Sequence, residues 1–254
     1  MTVTLKEAGG ALAEQEINSL VYSNDRSDYR LDRIYANFRP VEMGNLAEGM
    51  LYRSASPVYN ANGRAAFANE LAELVRINAV MNLADSDEDI LGYFGEEDFC
   101  SNYYRSLYED GRVLAVGMPI SFESEEFAQG IARGLTFLSE QNPPYLVHCQ
   151  EGKDRAGFAS MVLEALMGAS KEEIIADYMT SYENHYGIEP GTEKYDWIVE
   201  KNIMQMLPVI AGTDDLEGVD LSAAAEAYLI SNGMEQEALT VLEGKLSGSG
   251  MFQE

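Results

Sequence analysis

The stretch YLVHCQEGKDRAGF (Tyr145–Phe158) brings an apolar run, a cysteine and an arginine together in one short segment. The apolar run ends at Cys149, five residues separate that cysteine from Arg155, and a helical pattern starts at Arg155. This order predicts a strand, a loop and the N-terminus of a helix. Loops of this kind lie at the carboxyl ends of parallel strands, where ligands bind, so the segment indicates both a fold class and a site.

Strands and helices alternate along the rest of the chain. Further short strands are predicted at 33–40, 49–57, 79–84 and 112–119, and helices at 63–79, 127–138, 192–207, 222–231 and 234–246. A capping box from Ser170 to Glu173 predicts the start of another helix. We therefore predict an α/β fold in which helices flank a central, largely parallel sheet, with helical cap or lid elements in the C-terminal third.

The length of 254 residues is compatible with a single domain spanning 1–254. Residues 1–30 are polar and irregular and predict an N-terminal arm. Residues 183–215 are a candidate lid insertion, within which the helix at 192–207 either covers the site or packs on the body of the domain. Residues 247–254 predict a frayed tail.

The formal net charge of −26 narrows the range of partners. Nucleic acids and anionic membranes are polyanions, so we expect neither nucleic-acid binding nor stable membrane association. The N-terminus lacks a basic start followed by an apolar core, and no apolar run is long enough to span a bilayer. These features predict a cytoplasmic protein and leave open export by a route without a signal peptide.

The chain has two cysteines and two histidines, too few for a disulfide scaffold or a zinc cluster. We therefore expect no metal ion and no other cofactor. Cys100 is predicted to be a partly buried filler, and His185 to lie at the surface or at a helix end.

The loop after Cys149 has the composition of an anion site. Unpaired N–H groups and the dipole of the following helix attract phosphate or sulfate, and Gly152 allows close approach of the backbone. The planar fork of Arg155 can grip two oxygens. A cysteine at the floor of this positive field is favoured as thiolate, which makes Cys149 a candidate nucleophile beneath a bound phosphate. His148 is expected to orient the loop through a backbone hydrogen bond.

HCQEGKDRAG resembles the phosphate loop of the cysteine-dependent protein tyrosine and dual-specificity phosphatases. The Lys153–Asp154 pair is similar to the bacterial branch of tyrosine phosphatases that also act on other phosphoesters. The stretches NFRPVEMGNLAEGMLYRSASP, VMNLADSDED and LEALMGASKEEIIADYMTSY are similar to further parts of that branch. The resemblance covers most of 36–182.

The resemblance implies a phosphomonoester hydrolase that forms a phosphocysteine. Cys149 would be the nucleophile and Arg155 would bind the phosphate. The rest of the phosphate-binding loop would be His148, Gln150, Glu151, Gly152, Lys153, Asp154 and Ala156. The substrate would be a phosphorylated protein or a small phosphoester, with phosphotyrosine first and phosphoserine, phosphothreonine and phosphoinositides open.

The general acid has several candidates. Many relatives carry it in a Trp-Pro-Asp motif, but here Ile120 stands at the corresponding place. The resemblance to the bacterial branch makes Asp154 the first candidate. Asp85, Asp87 and Glu123 are the alternatives.

Three positions depart from the family pattern. Most relatives have Ser or Thr where this chain has Ala156. In those relatives the hydroxyl stabilises the thiolate and assists breakdown of the phosphoenzyme. Because Ala156 lacks a hydroxyl, slower turnover is predicted. Asn82 and Ala84 replace an Asp and an Arg, which predicts the loss of a charge pair. Ala156 and the missing Trp-Pro-Asp acid motivate the alternative, a pseudophosphatase that binds a phosphorylated partner without efficient turnover.

Overall fold

The computed structural model describes residues 20–249. The five strands in this range are β1 (Arg39–Pro40), β2 (Leu51–Ser54), β3 (Ala79–Asn82), β4 (Val113–Ala115) and β5 (Tyr145–His148). The α-helices in this range are α1 (Asp32–Tyr35), α2 (Ala65–Leu74), α3 (Asp87–Tyr93), α4 (Asn102–Glu109), α5 (Glu125–Glu140), α6 (Asp154–Leu166), α7 (Lys171–Tyr186), α8 (Glu193–Ile198), α9 (Met204–Ala211), α10 (Leu221–Ser231) and α11 (Gln236–Leu246). A 3₁₀ turn covers Arg26–Asp28, and a π-helical segment, Val199–Ile203, joins α8 to α9.

The strands form one sheet in the order β1-β2-β5-β3-β4. All neighbours are parallel except β1 and β2, so the largely parallel α/β sheet predicted from the sequence is confirmed. Ser54 and Asn82 both pair with His148, which aligns the carboxyl ends of β2, β5 and β3 in one row. The loop that begins at Cys149 therefore leaves the sheet between two neighbouring strand ends.

Both faces of the sheet are covered. Val80 and Leu146 contribute to one core cluster, and the alternate residues Met81 and Val147 contribute to the other. All four side chains are fully buried, as the two-residue period of a doubly covered strand requires. No helix between residues 20 and 249 is long and apolar enough to cross a bilayer.

The strand predicted at 33–40 is largely wrong. The chain forms helix α1 there, turns at Asn37 with a φ of +47°, and is extended as a strand only at Arg39–Pro40. A tertiary contact stabilises this helical turn, because the buried Arg64 donates from Nε to the carbonyl of Tyr35 at 2.8 Å. The helix propensity of this short segment does not reflect its contact with Arg64, which is 29 residues away from Tyr35.

The candidate lid region is mostly helical. Within 183–215 the end of α7 is followed by a short loop and then by α8, the π-helical segment and α9. Ile198, Ile203 and Leu207 are fully buried and belong to the same core as the sheet. This inner face packs on the body of the domain, and a role for the segment as a lid stays a prediction.

The two termini lie partly beyond the described residues. Of the predicted arm, residues 20–30 are described and contain only the 3₁₀ turn, while residues 1–19 lie outside the described range. Of the predicted tail, residues 247–249 form a turn after α11, and residues 250–254 lie outside the described range.

Candidate active site

The loop between β5 and α6 curls tightly against β2. Gly152 has a φ of +68°, and a Cβ added there would lie 2.3 Å from the carbonyl carbon of Ser54. Only glycine fits this conformation and this separation without a rearrangement. The close approach at Gly152 is to β2, whereas the sequence predicted close approach to a bound anion, and that approach stays a prediction.

Donors behind the loop bind its carbonyl groups. The N–H of Ser56 donates to the carbonyl of Gln150 at 3.1 Å. The carbonyl of Glu151 accepts from Asn37 Nδ2 at 3.1 Å and from His185 Nε2 at 3.0 Å. These contacts come from three different parts of the chain and fix the direction in which the loop carbonyls point.

Arg53 binds the next two carbonyls. Its Nη2 donates to Gly152 and to Lys153, each at 2.9 Å. Within the described chain, no backbone carbonyl accepts a hydrogen bond from the N–H groups of residues 150–155. With the carbonyls held from behind and α6 beginning at Asp154, the loop forms a nest of N–H groups suited to an oxyanion.

Cys149 and Arg155 lie at the two ends of this nest. The Cys149 side chain is buried, and Arg155 donates from Nη1 to the carbonyl of Met118 at 2.8 Å, in the loop after β4. His148 Nδ1 lies 3.4 Å from the carbonyl of Cys149, and its ring meets Tyr104 edge-on. Burial lowers the pKa of His148 to about 3, so this imidazole is neutral beside the loop.

Lys153 forms the charged rim of the loop. Its Nζ lies 3.2 Å from Glu151 Oε2 and 3.8 Å from Asp154 Oδ2, and it donates to the hydroxyl of Tyr186 at 3.2 Å. Burial favours the neutral amine, but the neighbouring acidic groups outweigh it and raise the pKa of Lys153. The rings of Tyr182 and Tyr186 lie within about 5.5 Å of the ammonium, close enough for cation–π contact.

The candidate acids occupy different surroundings. Asp154 begins α6, has a side chain that is 30% exposed, and accepts from the Tyr178 hydroxyl at 3.1 Å. Asp85 is buried and accepts from Asn82 Nδ2 at 3.0 Å and from the Tyr93 hydroxyl at 3.3 Å. Burial raises the pKa of Asp85, although those two donors and the positive charge of Arg155 oppose the shift.

The other two alternatives are exposed. Asp87 lies in the first turn of α3 and accepts from the Tyr108 hydroxyl at 2.8 Å. Glu123 lines a separate groove with Met204 and Pro208 of α9. Among the hydrogen bonds and ion pairs of residues 20–249, neither Asp87 nor Glu123 pairs with Arg155. Asp154 directly precedes Arg155 at the start of α6, and the charge of Arg155 acts on Asp85.

His185 and Cys100 complete the predicted residues. His185 lies in the last turn of α7, as expected for a helix end, but the expected surface position is wrong because it is only 5% exposed and binds the loop carbonyl. Burial lowers the pKa of His185 to about 4, which keeps it neutral. Cys100 is half-buried and is a free thiol.

Sequence reasoning missed the buried charges behind the loop. Arg39 and Arg53 are cross-strand partners, and both bind Asp177, with Arg39 Nε 3.0 Å from Oδ1 and Arg53 Nη1 2.6 Å from Oδ2. Glu164 lies beside them, fully buried. Like charges directly opposite each other in a strand pair need a counter-ion, so two arginines in adjacent predicted strands were a signal for a buried acid.

The arm also reaches the loop, which the sequence did not predict. The Tyr22 hydroxyl donates to Glu151 Oε1 at 2.6 Å. Arg64 holds the adjoining residues, because it donates to the Asn24 side chain at 2.6 Å and to the Ser23 carbonyl at 2.9 Å. The segment 22–24 is therefore part of the wall around the site.

Comparison with known proteins identifies the family of this chain. A sequence model of the tyrosine phosphatase family matches residues 35–246, which is most of the chain. The chain belongs to the tyrosine phosphatase family. The match starts at the last residue of α1 and ends at the last residue of α11, so the described part of the arm and most of α1 precede it.

Two individual proteins also show similarity to this chain. This tyrosine phosphatase family member is 47% identical, over 36 residues, to a provisionally named tyrosine-protein phosphatase of Cupriavidus necator, a match that covers 14% of the chain and 13% of that protein. It is 20% identical to the core catalytic domain of the PP-IP phosphatase SIW14 from S. cerevisiae, solved in complex with citrate. That likeness covers 65% of this chain and 85% of the yeast domain, with a TM-score of 0.36.

Proposed function

We propose that this protein hydrolyses phosphomonoesters through a phosphocysteine formed on Cys149. One observation carries the proposal: the N–H groups of residues 150–155 lack carbonyl partners within the described chain and lie between a buried cysteine and Arg155. Membership of the tyrosine phosphatase family supports the same chemistry. The Lys153–Asp154 pair supports placement in the bacterial branch.

The proposed reaction has two steps. The Cys149 thiolate attacks phosphorus in line, the bond to the leaving oxygen breaks, and a carboxylic acid gives that oxygen its proton. Water then attacks the phosphocysteine and gives a proton to the carboxylate left by the first step, the S–P bond breaks, and inorganic phosphate leaves with the thiolate and the carboxylic acid restored. In both steps the loop N–H groups and Arg155 stabilise the charge on the equatorial oxygens.

We propose Asp154 as the general acid. The leaving oxygen must depart from the nest toward solvent, and the Asp154 carboxyl is 30% exposed, lies 3.8 Å from Lys153 Nζ and belongs to the residue directly before Arg155. The raised pKa of Asp85 supports it as the alternative, because a general acid must hold its proton. Asp85, however, is only 2% exposed.

The nucleophile is tested with an aryl phosphate and with vanadate. We expect the wild type to release phosphate and to be inhibited by vanadate, and Cys149→Ser to lose all measurable turnover while remaining folded. Activity that survives in Cys149→Ser would refute the mechanism. A wild type that binds vanadate and phosphopeptide but releases no phosphate would identify the pseudophosphatase instead.

The acid is tested by comparing substrates with good and poor leaving groups. Loss of general-acid catalysis lowers turnover by roughly 10²–10⁴-fold, and the loss is largest where the leaving oxygen most needs a proton. We therefore expect Asp154→Asn to slow phenyl phosphate far more than p-nitrophenyl phosphate. The matched variant Asp85→Asn should slow both substrates to a similar extent, and the opposite pattern would transfer the role to Asp85.

The proposed substrate class is phosphotyrosine. The half-buried rings of Tyr22 and Tyr186 lie beside Lys153 at the loop rim, with the buried Tyr182 behind them, a setting suited to an aromatic phosphoester. The net charge of −26 disfavours docking on anionic lipid. A panel of phosphotyrosine, phosphoserine and phosphothreonine peptides and phosphoinositide head groups would rank the classes by kcat/KM.

A further inference from the structure

Arg53 contacts the phosphate loop from the side opposite to the proposed substrate. Its side chain is fully buried. One nitrogen, Nη2, donates to two consecutive loop carbonyls, those of Gly152 and Lys153. The other, Nη1, lies 2.6 Å from Asp177 Oδ2, so α7 holds the guanidinium in place.

The two carbonyls determine where two N–H groups point. A peptide unit is planar and trans, so its C=O and the N–H of the next residue point in opposite directions. Binding the carbonyl of Gly152 from behind therefore turns the N–H of Lys153 forward, and binding that of Lys153 turns the N–H of Asp154 forward. Arg53 thus sets the direction of two of the six donors of the nest.

The guanidinium geometry is specific to this task. Arg53 reaches two carbonyls and a carboxylate at once because its donors form a rigid planar fork. A lysine at the same position carries the same charge on a single nitrogen and lacks the fork. The charge of Arg53 and its geometry can therefore be separated by experiment.

We propose that Arg53, anchored by Asp177, is a positioning residue for phosphoryl transfer. It contacts neither substrate nor the reacting atoms, and it acts by holding the loop N–H groups in the direction of the oxyanion. This inference rests on the proposed phosphatase function.

Arg53→Lys tests the proposal, with Arg39→Lys as its matched control. Arg39 is also buried and also binds Asp177, but it donates to no loop carbonyl itself: its other contacts are with Ser181, the Asp177 carbonyl and Asn37, and it reaches the loop only indirectly, through the Asn37 amide that binds Glu151. We expect both variants to lower the Tm. Only Arg53→Lys should weaken inhibition by vanadate and by inorganic phosphate, by about tenfold or more, while Arg39→Lys stays within about threefold.

The outcomes are distinguishable. Equal inhibition constants in Arg53→Lys and wild type, whatever the Tm, would overturn the positioning role, because a merely structural arginine changes the amount of folded protein and not its affinity. A wild type without turnover and without vanadate binding would instead refute the proposed function itself. Should Arg53→Lys fail to fold, Asp177→Asn takes its place: weaker vanadate inhibition supports the role, and unchanged inhibition overturns it.

Discussion

At the scale of single residues, Gly152 is where the loop conformation is most demanding. Gly152→Ala must place a methyl group against the Ser54 carbonyl at a positive φ, so we expect a loss of roughly 2–5 kcal/mol of unfolding free energy. Gly191→Ala is the matched control, because Gly191 has a φ of +79° with no atom within 4 Å of the added Cβ. Urea denaturation of both variants measures the difference, and equal losses would show that the contact with β2 is unimportant.

The sequence predicted some residues of the site and not others, and the two groups differ in how far apart their members lie along the chain. Cys149, Gly152 and Arg155 lie within seven residues, so a local pattern was enough to place them together. Arg53 and Asp177 are 124 residues apart and meet only because β2 and α7 pack together. A single sequence carries the charge of each residue but not the contact between them.

At the scale of secondary-structure elements, helix α6 is the central support of the site. Its N-terminus carries Asp154 and Arg155, and every residue from Arg155 to Leu166 is buried. One of these is Glu164, which is fully buried beside the Asp177 carboxyl group. Burial and the nearby charge of Asp177 raise the pKa of Glu164 well above its usual value, although the two buried arginines oppose this.

The raised pKa of Glu164 gives a pH-dependent contribution to stability. Above the ordinary pKa near 4.5, the unfolded chain loses the proton that the folded chain keeps, so this contribution is complete below that pH and is lost as pH rises. Glu164→Gln removes the effect. We expect the stability of this variant relative to wild type to increase from pH 5 to pH 8, by up to about 1.4 kcal/mol per pH unit.

Thermal unfolding of the two proteins across that range measures the Glu164 effect. The control is Glu183→Gln, which makes the same substitution at an exposed position on α7. A constant difference for Glu164→Gln would mean that Glu164 is ionised in the folded protein.

Sequence patterns predicted most elements of the fold but not all their boundaries. Strand β5 and helix α6 follow from an apolar run and a helical period, and the capping box at Ser170 and Glu173 is present at the start of α7. Helix α1 was missed because its stability depends on Arg64 and on the burial of Tyr35, both of which are tertiary effects.

At the scale of the whole molecule, a local anion site is set in a strongly acidic protein. The net charge is −26, while near the loop Lys153 is paired with Glu151 and lies close to Asp154. The nest and Arg155 act over a few ångströms, whereas the net charge acts over the Debye length, about 8 Å at physiological salt and about 30 Å at 10 mM. An approaching phosphoester therefore meets repulsion before it meets attraction.

Because the repulsion acts at longer range than the attraction, we predict that kcat/KM for an acidic substrate rises with ionic strength. Raising ionic strength from about 10 to 150 mM should increase kcat/KM for an acidic phosphotyrosine peptide, by about two- to tenfold, because screening removes the long-range repulsion. A basic phosphotyrosine peptide of equal length should show the reverse, since screening removes its attraction. If both peptides slow as salt is added, the local positive field of the loop, rather than the charge of the whole protein, controls association.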